Sequence, residues 1–485
     1  MMATLHPSSS RVSRRLLLQS SLAGAGSVYL GSRLTASARA QGAEASPEPD
    51  DGDGPGRWRT WYLSTPAELR PEAPGAPSQA EIDEVLEMQA ARTEADEAIV
   101  ALWGTGPAIL AWSRQLPELF TEFEVGSLPQ SRVLAHLHTA MHDAAVAAWD
   151  ARLAHNRPGP AATDSAITPL PGVDASASSF PSEHAAVAGA AAVVLTALFP
   201  GADAGRFDAL ATEAAESRLM AGAAFRSDID VGLELGRAVG ERAAERSRND
   251  NFSAQWDPTT KPSGPGYWEP TPPNFADPAA PLAGSWTPWV MASGDQFRPA
   301  PPPEYGSLEW HAELRMVQEI ARNRTFDQER TALWWGTQSP PVLLNTWAQE
   351  LVSKGGLALP HAAQVFADLN VAIADALIAV WDGKYTWWTS RPINEDPDLV
   401  TVYPTPPYPA YPGGYGAAMG AGTTILGHYF PGEAVDFENR AWEAANSRAW
   451  AGIHYVIDDD VALTMGRRVG RLVAALPGAN ELGGT

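Results

Sequence analysis

The chain has 485 residues, of which 45% are hydrophobic and 18 are Trp, enough to bury more than one core. Its formal charge of -23 at pH 7 repels phosphate backbones and anionic headgroups at long range, which argues against nucleic acid and membrane surfaces as partners. The sequence has no Cys, and this excludes thiolate nucleophiles and Cys-ligated metals.

Residues 1–40 are set apart. Ser13-Arg14-Arg15 opens an apolar, Gly/Ala-rich stretch that ends in Ala38-Arg39-Ala40, which reads as a twin-arginine export signal with a small-residue cleavage site. The mature protein is therefore expected outside the cytoplasm, periplasmic or secreted, with no membrane association after cleavage. No later segment is expected to carry a membrane-length apolar run. Residues 41–77, rich in Pro, Gly and acidic side chains, are expected to be an extended or partly disordered lead-in. Helical spacing begins after Ser78 and alternating strand-like runs are scarce. This predicts an all-α fold of two bundles, residues 78–250 and 306–480, joined by a Pro/Trp-rich connection over 251–305.

The two halves match in order. Pro181 to His184 and on to Phe199-Pro200-Gly201 aligns without a gap on Pro412 to Tyr415 and on to Phe430-Pro431-Gly432. Ser217-Arg218 faces Ser447-Arg448, and Gly236-Arg237 faces Gly466-Arg467. Upstream, Trp149-Asp150 and Arg157-Pro158 face Trp381-Asp382 and Arg391-Pro392. These ordered anchors predict a duplicated helical unit.

In the second copy Lys384 is followed by six residues and then Arg391-Pro392, with Pro412-Gly413-Gly414-Tyr415 further on. Ser447-Arg448 then stands five residues ahead of His454. This set resembles the K-x6-RP, PSGH and SR-x5-H pattern of the vanadium-dependent haloperoxidase and type 2 phosphatidic acid phosphatase superfamily, in its bacterial haloperoxidase-like branch. The first and third blocks fit fully; the middle one departs at Gly413 and Tyr415. Trp286-Thr-Pro-Trp289 and Asp295-Gln-Phe-Arg-Pro299 add to the likeness.

The resemblance implies vanadate or phosphate as ligand, held by Lys384, Arg391 and Arg448 through fixed charge and directed N–H bonds. Gly413 and Gly414 precede a helix, so their backbone N–H groups could face an oxygen of the anion. His454 is implied as the vanadium ligand or, in phosphatase relatives, the nucleophile. Asp458, one turn on, could orient that imidazole. Arginine matches come easily in this chain, but Lys384 is one of only three Lys, with Lys261 and Lys354. In the first copy the place of His454 is taken by Ala224 and that of Lys384 by Arg152, which points to a packing role for Pro181 to His184. His138 and His142 share a helix face; their spacing permits a metal pair, but a buried interface explains it as well.

Tyr415 stands where the family has its acid/base histidine. A phenol is a poor base near neutral pH, and loss of a general acid/base typically costs about 10²–10⁴-fold in rate. Three readings follow. The first is a vanadate-dependent peroxidase taking hydrogen peroxide and a halide, bromide or iodide before chloride, or a small organic donor. The second is a secreted phosphatase working through a phosphohistidine, and the third a non-catalytic oxyanion-binding homologue. Tyr415→His is expected to raise bromide oxidation, with Gly413→Ser as a companion change. The sequence leaves a homodimer open.

Overall fold

The computed structural model describes residue 54 and residues 58–477 apart from residue 73. The export signal lies outside the described residues. Among them there is no strand beyond two isolated bridges, Pro158 to Ser178 and Tyr267 to Thr389, so the fold is all-α.

The first copy runs α1 (Gln79–Ala91), α2 (Glu94–Gly104), α3 (Ala108–Ser113), α4 (Leu116–Glu122), α5 (Ser127–His155), α6 (Pro160–Thr163), α7 (Glu183–Leu198), α8 (Arg206–Met220) and α9 (Arg226–Arg248). The second runs α10 (Leu308–Asn323), α11 (Phe326–Thr337), α12 (Pro340–Gly355), α13 (Leu359–Trp387), α14 (Pro392–Glu395), α15 (Gly414–Tyr429), α16 (Ala434–Trp450) and α17 (Val456–Ala474). In order, α1 corresponds to α10, α2 to α11, and α5 to α9 correspond to α13 to α17. Pro117 cannot donate to the carbonyl one turn back and splits α3 from α4 where α12 is continuous. Starts are set locally: Ser78 with Glu81, Thr93 with Asp96 and Thr325 with Gln328 close capping boxes.

The spine of each copy is a helix of 29 residues, α5 and α13. They meet at corresponding positions, where Asn370 Nδ2 lies 3.1 Å from His138 Nδ1. His138 also reaches Ser113 Oγ at 2.9 Å and stacks on Phe366, while His142 turns to Asp143 at 3.2 Å. The two histidines are thus engaged separately. One continuous hydrophobic cluster extends from Val85 through both spines to Val473, so the bundles share a core. Corresponding acids brace each spine. Asp143 accepts the backbone N–H of Trp61 (2.9 Å) and Tyr62 (2.7 Å), and Asp375 accepts those of Trp289, Val290 and Met291 at 2.8–3.1 Å.

Two sequence expectations need correction. α13 is long and apolar enough to cross a membrane, yet its apolar stretch is wholly buried. It is apolar all round because protein surrounds it on every side. The lead-in is also more ordered than its composition suggests. From Trp58 it is pinned by the contacts to Asp143 and by Arg59 on Asp368 at 2.9 Å, with Trp58 and Leu63 buried. Those partners lie far along the chain, where local composition carries no sign of them.

The repeated Gly-Arg pair has a packing cause. α9 lies so close to α7, and α17 to α15, that a Cβ on Gly236 would collide with the carbonyl of Ala186, and one on Gly466 with that of Ala417. Because backbone on both sides must shift to admit a methyl, Gly466→Ala should lower the unfolding free energy by about 1–3 kcal/mol in denaturant titration. Gly432→Ala, with nothing within 4 Å of the new Cβ, should change it much less. Equal effects would contradict the close-approach account.

Candidate functional sites in the two copies

In the second copy the end of α13, the loop to α15, and the α16–α17 junction converge. α13 stops in a left-handed turn at Trp388 (φ 49°), held by Tyr385 (4.9 Å) and Trp256 (5.9 Å) between ring centroids. That turn sends Arg391 inward. The connection folds over the same region: Trp268 N–H donates to Trp388 O at 2.7 Å, Ser390 N–H to Gly266 O at 2.9 Å, and the Tyr411 hydroxyl to Ala300 O at 2.7 Å.

The structure brings Lys384, Arg391, Arg448 and His454 together, each no more than 4% exposed. Lys384 Nζ donates to the carbonyls of Pro409 (2.7 Å) and Ala410 (2.9 Å). Arg391 donates from Nε to Tyr408 O at 2.8 Å and from one terminal nitrogen to Ile453 O at 2.6 Å. That nitrogen also lies 2.9 Å from His454 Nε2, and the other terminal nitrogen is buried without a partner. Since an arginine can only donate, Nε2 accepts, and the imidazole proton sits on Nδ1, 2.9 Å from Asp458 Oδ2. Burial first, then Arg391, Lys384 and Arg448, hold the imidazole well below its ordinary pKa, so it is neutral. Asp458 therefore does orient the ring.

The remaining residues of the pattern are placed differently. Gly413 N–H is spent on Asp458 O at 2.9 Å, and Gly414 opens α15 against Trp381. The Tyr415 hydroxyl points away from His454, 2.5 Å from both Trp335 O and Gln338 O. Its ring lies 4.0 Å beneath the Arg448 guanidinium, and burial pushes the phenol above its ordinary pKa. A residue missed by sequence reasoning decides the local chemistry. Asp459 is buried with both carboxylate oxygens unpartnered, and one of them fills the space a Cβ on Gly413 would need. Burial, then Asp458, pushes its pKa well up, while Arg448, Lys384 and Arg391 pull the other way. The signal was available in the repeat, because the first copy has Ile229 at the corresponding position.

The first copy is arranged otherwise. Arg157 is tied to Asp228, to Ser227 Oγ (2.8 Å) and to Glu81 (3.1 Å). Arg152 pairs with Glu183 at 2.9 Å, and Glu183 also accepts from Trp149 Nε1 at 2.6 Å. Arg218 donates from Nε to Ser217 Oγ at 3.1 Å, but one terminal nitrogen is buried without a partner. Beside it opens a cavity of about 300 Å³ lined by His184, Ser182, Ser178, Trp149 and Ala224. The second copy holds His454 where Ala224 leaves this space.

Comparison with known proteins agrees with the all-α fold. Residues 144–245, in the first copy, match the PAP2 superfamily. The structure titled as the first bacterial vanadium-dependent iodoperoxidase is similar at 23% identity, covering 81% of this chain and 94% of that one with a TM-score of 0.57. A bacterial vanadium-dependent chloroperoxidase in its apo form covers 60% of this chain and 83% of its own at 13% identity and a TM-score of 0.48. No curated protein matches. Residues 144–245 thus carry the PAP2 superfamily match, and the all-α fold is similar to that of the bacterial vanadium-dependent iodoperoxidase.

Proposed function

We propose that this chain is an oxyanion-binding member of the superfamily that does not carry out peroxide-driven halide oxidation. The observation that carries this reading is the Asp459 carboxylate, which stands beside Gly413 where the family pattern has a serine hydroxyl. The serine hydroxyl is thereby missing, and a carboxyl oxygen occupies the space that its Cβ would need. Tyr415 adds to the loss, since its hydroxyl serves two backbone carbonyls and no proton carrier takes the histidine's place.

Vanadate bonded to a histidine needs one free imidazole nitrogen. Here Nδ1 meets Asp458 and Nε2 meets Arg391. In this arrangement neither imidazole nitrogen is free for a bonded vanadate. The peroxidase reading, with bromide or iodide as donor, rests on the convergence of Lys384, Arg391, Arg448 and His454 and is the alternative to test. Export through the twin-arginine route belongs to the same proposal.

Purified protein incubated with vanadate and passed through a desalting column should retain far less than one vanadium per chain and show no vanadate-dependent bromide or iodide oxidation with hydrogen peroxide. One vanadium per chain, lost in His454→Ala and accompanied by halide oxidation, would restore the peroxidase reading. A phosphoenzyme on His454 would favour a phosphatase instead.

Tyr415→His alone should not restore bromide oxidation, in contrast to the expectation from the motif. Gly413→Ser cannot simply be added, because its Cβ would meet Asp459. Only a variant that also replaces Asp459 with Ala should gain vanadate binding, measured by ⁵¹V resonance. Recovery of activity in Tyr415→His alone would show that the phenol was the only obstacle.

Replacing Arg14 and Arg15 with Lys should block export, and the mature N-terminus should follow Ala40. Undiminished export of the double variant would remove the twin-arginine assignment.

A further inference from the structure

The first copy shows which side chains the bundle needs in order to pack, and the second copy exceeds that need on one face. The same bond ties α2 to α8 and α11 to α16, from Trp103 Nε1 to Glu213 and from Trp335 Nε1 to Glu443. Counted from these pairs, Glu94, Ala101, Leu102 and Thr212 of the first copy correspond to Phe326, Leu333, Trp334 and Trp442 of the second. Phe326 is 80% exposed, Trp442 54% and Trp334 47%. Since α2 and α8 pack without such rings, the fold alone does not call for them.

These residues form one surface. On α11, Phe326, Arg330, Leu333 and Trp334 recur at helical spacing on the face opposite the buried Ala332 and Trp335. Trp442 of α16 meets Trp450 at 6.2 Å between ring centroids, and Trp450 packs on the cluster of Ala332, Ala451 and Ile453. At the other end Arg324 donates to Val400 O at 3.0 Å, which sets the exposed Val400 beside the start of α11. The charges around this face are matched within the chain. Arg330 pairs with Asp327 at 3.6 Å, Arg440 with Asp436 at 2.6 Å, and Arg467 with Glu438.

We propose that this face, α11 with Trp442 of α16, is the interface of a symmetric dimer of two copies of this chain. With roughly 150–250 Å² for a whole aromatic side chain, Phe326, Leu333, Trp334, Val400 and Trp442 leave on the order of 500 Å² of apolar surface in water. A dimer of standard size takes about 800 Å² from each partner, of which about 65% is apolar, and the face supplies that share. A chain of charge -23 repels its own copies, and a face whose charges are already paired is where that repulsion is weakest at contact. Because the face belongs to the second copy alone, it must meet its own counterpart, which closes the assembly at two chains. The rings also select the kind of partner. Trp442 and Trp450 stand at 74°, and Trp334 and Trp335 at 84°, so they form no flat platform for a sugar polymer, whereas apolar side chains at helical spacing fit the ridges of another helix. The dimer stands whether or not the second copy holds an oxyanion.

Light scattering on the purified full chain should give twice the 51.6 kDa of one chain. The dissociation constant should fall as salt rises, because screening removes the repulsion and leaves the apolar contact. Trp334→Ala combined with Trp442→Ala should weaken association at least about thirtyfold, as for the loss of an aromatic anchor, at unchanged helical content by circular dichroism. Leu102→Ala, at the corresponding place in the first copy, should leave the dimer intact. The sequence has no Cys, so a single introduced cysteine reports on the symmetry: a short bismaleimide should join Arg330→Cys to its counterpart and leave Ala98→Cys unjoined. A chain that stays monomeric at tens of micromolar would overturn the proposal, and so would a dimer that persists in the double variant or is cross-linked through Ala98→Cys. A monomer that binds phosphatidylcholine vesicles through Trp334 would give the face to a lipid surface and overturn it as well.

Discussion

A guanidinium or ammonium removed from water must find counter-charge or acceptors, and the two copies of this fold meet that demand by different means. In the second copy backbone carbonyls take up Lys384 and part of Arg391, the Tyr415 ring covers Arg448 and Asp458 lies in the same space, while the other terminal nitrogen of Arg391 stays without a partner. The connection then closes over the ensemble through Gly266, Trp268 and Ala300. The first copy satisfies Arg152 and Arg157 with carboxylates but leaves one terminal nitrogen of Arg218 without a partner.

Duplication makes such divergence tolerable. Each copy supplies half of a shared core through its 29-residue spine, so selection for packing acts on both regardless of which pocket is open. The shared elements are those packing requires: the close approach at Gly236 and Gly466, the acids at 143 and 375 that hold backbone N–H groups, and the Trp103–Glu213 and Trp335–Glu443 bonds at 3.0 and 2.9 Å. The positions that differ, 224 against 454, 184 against 415 and 229 against 459, lie at the pockets. A substitution there alters chemistry while leaving the bundle intact.

Much of this was legible in the sequence, for reasons that can be named. Helical periodicity and local capping chemistry are short-range, so the bundle limits near Ser78 and Leu308 could be read directly. The repeat was visible through Phe-Pro-Gly, Ser-Arg and Gly-Arg anchors, because backbone contact and turn geometry constrain those residues. Convergence of Lys384, Arg391, Arg448 and His454 followed from motif spacing. What could not be read depends on contacts between distant segments. Asp459 beside Gly413, Tyr415 turned to Trp335 and Gln338, and the pinning of Trp61 and Tyr62 by Asp143 join residues that no local pattern links. The motif named charged residues that converge in the fold but did not reveal which of them already had partners.

The central claim is that His454, with its two ring nitrogens engaged by Asp458 and Arg391, does not bond an oxyanion. Diffraction from crystals grown with tungstate, a tetrahedral oxyanion with strong anomalous scattering, would test it most directly. The account predicts no anomalous peak at bonding distance from His454. A peak at bonding distance from His454 Nε2, with Arg391 swung off that nitrogen, would contradict it.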